Sequence, residues 1–363
     1  MNDRFLKACR REPVDATPVW FMRQAGRYMS DYRALRQRYS LLDICRAPEL
    51  AVAVTLQPVD VIDVDAAILF SDLLIPFTPL GLDFDFLKGE GPSIAQPIRT
   101  AGDVDRLRRF EPREALAHVL ETIRILRVEL AGRVPLIGFG GAPFTLAAYA
   151  IEGGPSTTYA RTKAFMYAQP RAWHRLCERF ADMMADYLTA QVEAGAQALQ
   201  VFDSWAGALG RADYREFARP HTSRIFAALR TLGVPSVHFG VGTTAILPDF
   251  TEAGGDVIGL DWRLPLDEAW AIVGHDRAVQ GNLDPAALLA PRERLFAAAD
   301  DVLRRAGGRA GHIFNLGHGV LPNTSLEQVQ ELARHVHAFR PPKNTGHGPL
   351  KNTEKHTPQT NTD

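Results

Sequence analysis

The 363-residue chain is 46% hydrophobic and 23% charged, with a formal net charge of −1, a composition suited to one large globular domain or two small ones. Near-neutrality excludes a global field for nucleic acid or an anionic membrane, so any anion must be held by a local cluster. Cys9, Cys45 and Cys177 are odd in number, widely spaced and form no CxxC pair, which argues against a disulfide framework or a cysteine zinc site and fits a reducing cytoplasm.

In chain order, MNDRFLKACRREP (1–13) reads as a short polar helix without the apolar core of a signal peptide. No stretch reaches the roughly 18 apolar residues of a membrane span. Short apolar runs then recur, each ending in a Gly-, Asp- or Ser-rich turn: PVWFM (18–22), AAILF (66–70), PLIGFG (135–140), AQALQVF (196–202), VPSVHFG (234–240), DVIGLD (256–261), AVQGNL (278–283) and HIFNLG (312–317). Continuous apolar runs of this length suit parallel strands covered on both faces. Helical periodicity fills the intervals, as in HVLETIRILRVEL (118–130) and RLCERFADMMADYLTAQVEAG (175–195). Eight strands alternating with helices predict a single-domain α/β fold, a (β/α)8 TIM-type barrel over residues 1–340. A doubly wound sheet is the alternative, but no GxGxxG follows the first strand. Segment 83–98, DFDFLKGEGPSIAQPI, reads as an inserted hairpin acting as a rim or lid, and the polar tail 341–363 reads as disordered.

In such barrels the turns after the strands build the active site, and the chemically expensive residues fall there. Arg23 and Arg27 flank Gly26 in RQAGR. Cations are disfavoured at a helix start, glycine lets backbone approach a ligand, and guanidinium forks bind carboxylates; the pair therefore points to a carboxylate ligand rather than a solvated surface. Asp72 is the lone acid within AILFSDLLIPF. It is either an N-cap or a desolvated carboxylate that needs N–H donors from a partner. Tyr149 in LAAYAI reads as a core tyrosine or a ligand contact, and Ser204 in FDSWAG as a helix cap or a ligand contact. His318, between glycines in NLGHG, is open to a ligand. His238 in SVHF reads as structural.

Taken in order, MRQAGRY (22–28), LFSDLL (69–74), GFGGAPFTLAAYAIEGG (138–154), FDSWAG (202–207), GLDW (259–262), QGNLDP (280–285) and NLGHG (315–319) closely resemble the uroporphyrinogen decarboxylase family of haem and chlorophyll biosynthesis. RQAGR and NLGHG are specific signatures; GLDW alone is weak. The resemblance spans about residues 4–340. It implies a distorted (β/α)8 barrel, a homodimer with adjoining clefts, and decarboxylation of the acetate arms of uroporphyrinogen, giving coproporphyrinogen, with neither metal nor organic cofactor. It further implies that Arg23, Gln24, Ala25, Gly26 and Arg27 line the cleft, and that Asp72, Tyr149, Ser204 and His318 touch substrate. Asp72 and Arg23 are then the catalytic candidates: Asp72 as the anion beside the pyrrole nitrogens, and Arg23 as one of three possible proton sources, beside a substrate carboxyl and a held water. Two rival readings fit the residues less well. A barrel methyltransferase needs a His-x-Cys zinc pair, whereas this chain has His238-Phe239-Gly240 and no cysteine beyond Cys177. A tetrapyrrole carrier needs the arginines but not a carboxylate at the ring centre.

Overall fold

The apolar runs form parallel strands because the intervening helices cover both of their faces. A computed structural model describes residues 2–87 and 91–340; the tail expected to be disordered lies outside them. Nine strands are present among the described residues: β1 (Ala67–Ile68), β2 (Phe84–Leu87), β3 (Gly91–Ile94), β4 (Leu136–Gly141), β5 (Ala198–Asp203), β6 (Ser236–Gly240), β7 (Val257–Gly259), β8 (Ala278–Leu283) and β9 (His312–Leu316). Seven make one curled parallel sheet in the order β1-β4-β5-β6-β7-β8-β9, each of the last six reached through helices packed outside it. β4, β5, β6 and β8 coincide with predicted runs to within two residues at each end.

The first predicted strand does not extend over 18–22. Val19 forms a single parallel bridge to Phe314. The reason lies in the backbone donors. Pro18 has none, the Phe21 amide donates to the Gln24 side chain at 3.1 Å, and the Met22 amide donates to Asn315 Oδ1 at 3.1 Å. With the Val19, Phe21 and Met22 amides committed to side chains and only the Trp20 amide donating to Phe314 O, the ladder stops at the Val19 bridge. It still links the sheet's two edges: Phe314 N donates to Pro18 O at 2.8 Å, and Asp65 N donates to Val19 O at 2.8 Å. β1 is short for a related reason, since the Phe70 amide donates to Thr55 Oγ1 at 3.0 Å instead of to a strand.

The sheet's concave side is filled in layers. Trp20 Nε1 donates to Gln280 Oε1 at 2.9 Å, and Gln280 Nε2 donates to Gln200 Oε1 at 3.0 Å. Beside these glutamines, Phe139, which pairs in register with Gln200, meets Phe202, and Phe202 meets Phe239, all edge to face with centroids 5.6 and 5.8 Å apart. Outside, helix Pro170–Ala194 buries Trp173, Phe180, Met184 and Leu188 along one stripe, the spacing expected of an amphipathic helix.

The expected insertion is an antiparallel hairpin pairing Phe84 with Ile94. Ile94 N donates to Gly153 O and Ile98 N to Ala150 O, at 2.8 and 2.9 Å. These bonds fix the hairpin against the end of helix Pro143–Glu152, which carries Tyr149.

Candidate functional site

The loop after the Val19 bridge sets the first part of the site. Arg23 has φ +60°, a left-handed conformation that is uncommon for a residue with a side chain. Gly26, which the sequence offered as the flexible position, has no positive φ. Loop geometry is held instead by Gln24. Its buried side chain accepts from Phe21 N and donates to Ala66 O at 3.1 Å. Gln24 therefore uses one acceptor and one donor position of its amide on backbone. Ala25 and Gly26 are half-buried; Arg23 and Arg27 are exposed, and neither forms an ion pair among the described residues.

Arg23 is aimed by its neighbours. Its aliphatic stem lies across Gly319, where any Cβ would collide with it, while Val320 N donates to Met22 O at 2.9 Å. The NLGHG turn thus seats Arg23 and places His318 beside it. His318 Nδ1 accepts from Gly319 N at 2.6 Å, so the ring's proton sits on Nε2. Burial, then the charges of Arg23 and Arg263, push the imidazole down to about 4. His318 is consequently a neutral donor, well suited to a carboxylate or carbonyl oxygen and not a second cation.

Asp72 stands past the end of β1, in a turn rather than at the cap of a long helix; the next helix spans only Phe77–Leu80. Its Oδ1 accepts from Leu74 N at 2.9 Å, and among the described residues Oδ2 has no donor. Burial pushes the carboxyl up to about 6, opposed by the Leu74 amide and the charge of Arg23. A carboxylate in that position lacks the donors that normally compensate desolvation.

Tyr149 is half-buried, and its hydroxyl is held far above its ordinary range by burial and then by Asp72. Its ring packs on Trp205 at a centroid distance of 3.9 Å, and Trp205 in turn meets Tyr159 at 5.0 Å. Ser204, half-buried at the end of β5, precedes Trp205. The turn is set by Thr145 Oγ1, which donates to Asp203 at 3.1 Å and accepts from Trp205 N at 3.3 Å. Arg23, Asp72, Tyr149 and His318 are thereby brought into one electrostatic neighbourhood, with Ser204 joined through Trp205. Arg27 lies to one side, where its charge bears on Tyr32. His238 is fully buried and stacked on Phe250 at 3.6 Å, behind the strand and out of the cleft.

Sequence reasoning missed Trp205, Tyr159 and Arg263. Trp205 and Arg263 were visible only as members of the DSWAG and DWRLP turns; their contacts depend on how those turns meet other strands' loops. All three cysteines are buried.

Curled parallel sheet and outer helices define an α/β protein whose strand ends carry exposed arginines near an under-paired carboxylate. Among solved structures, a methyltransferase from Methanosarcina mazei shares the fold at TM-score 0.73 and 20% identity, covering 92% of this chain and 97% of that one. A B12-independent methionine synthase from a Shewanella species aligns at TM-score 0.52 and 13% identity, covering 80% and 85%. Sequence goes further. Residues 1–339 match the uroporphyrinogen decarboxylase (URO-D) family. Uroporphyrinogen decarboxylases from Sorangium cellulosum and Thermus thermophilus are 56% and 54% identical, over 93% and 91% of this chain and 97% and 96% of theirs. The chain belongs to the uroporphyrinogen decarboxylase family.

Proposed function

We propose that the protein is a carboxy-lyase that converts the four acetate arms of uroporphyrinogen to methyl groups in tetrapyrrole biosynthesis. The single observation carrying the site assignment is Asp72: a partly buried carboxylate with one backbone donor, opposite an arginine without a carboxylate partner. Uroporphyrinogen supplies what both groups lack, pyrrole N–H donors for Asp72 and carboxylate arms for the arginines.

The chemistry follows from the substrate. Loss of CO2 from an acetate leaves an electron pair that needs a sink, commonly a cofactor. Protonation of a pyrrole ring carbon makes that ring cationic and imine-like. The C–C bonding electrons then flow into the ring as CO2 leaves. Protonation of the resulting exocyclic methylene forms the methyl group and leaves the ring cationic again, and loss of the proton first added at the ring carbon restores the neutral pyrrole. A fixed anion under the nitrogens stabilises the cationic intermediate without reorganising, the role we assign to Asp72. Several N–H groups converge on one carboxylate only when the macrocycle is reduced and puckered, so Asp72 favours a porphyrinogen over a flat porphyrin. Arg23 and Arg27 hold acid arms, neutral His318 donates through Nε2, and Tyr149 and Ser204 offer hydroxyls at the rim. Arg23 orients the proton source, a substrate carboxyl or water, because guanidinium seldom yields its own proton.

The finer architecture belongs to the same reading: one catalytic domain over residues 1–340, with Val19 completing an eightfold barrel, acting as a homodimer in the cytoplasm. Among the described residues no helix is long and apolar enough to cross a membrane. Anaerobic incubation with uroporphyrinogen tests the function. Stoichiometric CO2 release with formation of a four-carboxylate porphyrinogen is expected; tight binding without CO2 release would make the protein a carrier instead.

A further inference from the structure

Near His318 stands a second guanidinium that the preceding assignment does not use. Arg263 follows β7 in the DWRLP turn. This turn packs directly on the NLGHG turn: a Cβ at Gly317 would lie 2.7 Å from Trp262 N and 2.9 Å from Asp261 Cα. Arg23 covers Gly319 two residues further on. The residues on either side of His318 therefore pack against two different arginine-bearing loops, and the charges of both arginines bear on the imidazole.

The ordinary explanation of Arg263 is a surface ion pair with Asp261, and its geometry is informative. Asp261 is buried, and its Oδ1 accepts from Arg263 N at 3.0 Å while Oδ2 accepts from Gly242 N at 2.5 Å. The guanidinium adds one bond to this set, from Nη1 to Oδ2 at 2.5 Å. Nε and Nη2 have no acceptor among the described residues. These two share the edge that grips a carboxylate in bidentate fashion. Trp262 lies under the guanidinium plane, 4.4 Å from Cζ to the ring centroid, and the side chain stays 48% exposed. One donor anchored, one face stacked and one fork open describe an arginine fixed in place before a ligand arrives.

Resting on the reading of this site as a uroporphyrinogen decarboxylase, we infer that Arg263 is a further specificity-determining residue, whose free Nε/Nη2 edge binds an acid arm of the tetrapyrrole beside His318. Arg23 and Arg263 then each hold an arm near the imidazole. The substrate is fixed in rotation about the axis through Asp72 and not merely attracted to the mouth.

The test compares wild type, Arg263→Gln and Arg263→Lys in anaerobic uroporphyrinogen decarboxylation over a range of salt, with thermal unfolding alongside. Arg263→Gln is expected to raise KM about tenfold, the worth of one charge-assisted contact. It should also flatten the dependence of KM on salt, while kcat and the unfolding midpoint stay near wild type. Arg263→Lys should recover the salt dependence and part of the affinity. An active wild type with unchanged KM in Arg263→Gln overturns the inference and leaves the function standing. A raised KM that Lys does not rescue, accompanied by a lowered midpoint, also overturns it, by making the residue a support for Asp261. An inactive wild type overturns the functional reading, and this inference with it.

Discussion

Asp65 and Asp72 stand at opposite ends of the same short strand, β1, and are treated in opposite ways. At the amino end, Asp65 is fully buried and accepts from Asn2 Nδ2, Arg4 Nη1, Val19 N and His337 Nε2, at 2.6, 3.3, 2.7 and 2.6 Å. At the carboxyl end, Asp72 accepts from the Leu74 amide alone among the described residues. A buried charge surrounded by donors ties the amino terminus, the Val19 segment and the last helix, Leu326–Ala338, into the sheet edge. A charge short of donors holds binding energy in reserve for a ligand. With the role proposed for Asp72, one strand carries a stability residue at its base and a functional residue at its mouth, the division expected of parallel barrels.

The sharpest way to break this comparison is to remove the base carboxylate. Asp65→Ala leaves the Val19 amide and the Asn2 side chain without their acceptor and His337 with Asp63 alone, while Arg4 keeps Asp15, and the loss of stability is expected to be about 1–3 kcal/mol. Denaturant unfolding checks it, and activity per folded molecule should survive. At the mouth the sensitive variable is pH. Protonation of Asp72 erases its charge, so kcat/KM should be flat above its value of about 6 and fall about tenfold per pH unit below it. A rate profile without an acid limb near that pH would detach Asp72 from the rate.

Smaller effects refine the contrast. Arg27 lies on the Tyr32 side of the mouth, so Arg27→Ala should weaken substrate binding severalfold and make the remaining affinity less salt-dependent; fluorescence titration across ionic strength measures both. The smallest effect lies at the base. Burial works against a charge on His337, but its hydrogen bond to Asp65 and the charges of Asp65 and Asp63 outweigh it and Arg4, and the imidazole is raised. A raised folded-state value means the bond's full contribution is present below the unfolded histidine range, near 6.5, and is lost as pH rises through the folded value. Unfolding midpoints should decline across that window in wild type, and His337→Gln should remove that part of the slope.

Much of this was legible in the sequence, for identifiable reasons. β4, β5, β6 and β8 are apolar runs whose length and flanking turns leave little choice, and Arg23, Asp72 and His318 sit where such runs end. The shortening of the first strand was not legible, because the donors that dissolve it, at Phe21 and Met22, are captured by Gln24 and by Asn315, 293 positions from Met22. Asp65 was equally hidden: its His337 partner lies 272 residues away, and DVDAAI looks like the entry to any strand. Arg263 needed the packing of two turns to acquire meaning. Local pattern reveals what a residue can do; only the fold reveals what has been left for it to do.

The central claim is that the charge of Asp72 lowers the barrier to decarboxylation. Asp72→Asn keeps the shape and the Leu74 contact but removes the charge, so anaerobic CO2 release from uroporphyrinogen should fall by about 10²–10³-fold, with the unfolding midpoint equal to or above wild type because a desolvated charge has gone. Turnover within a fewfold of wild type, in a variant that binds substrate and unfolds normally, would contradict the account.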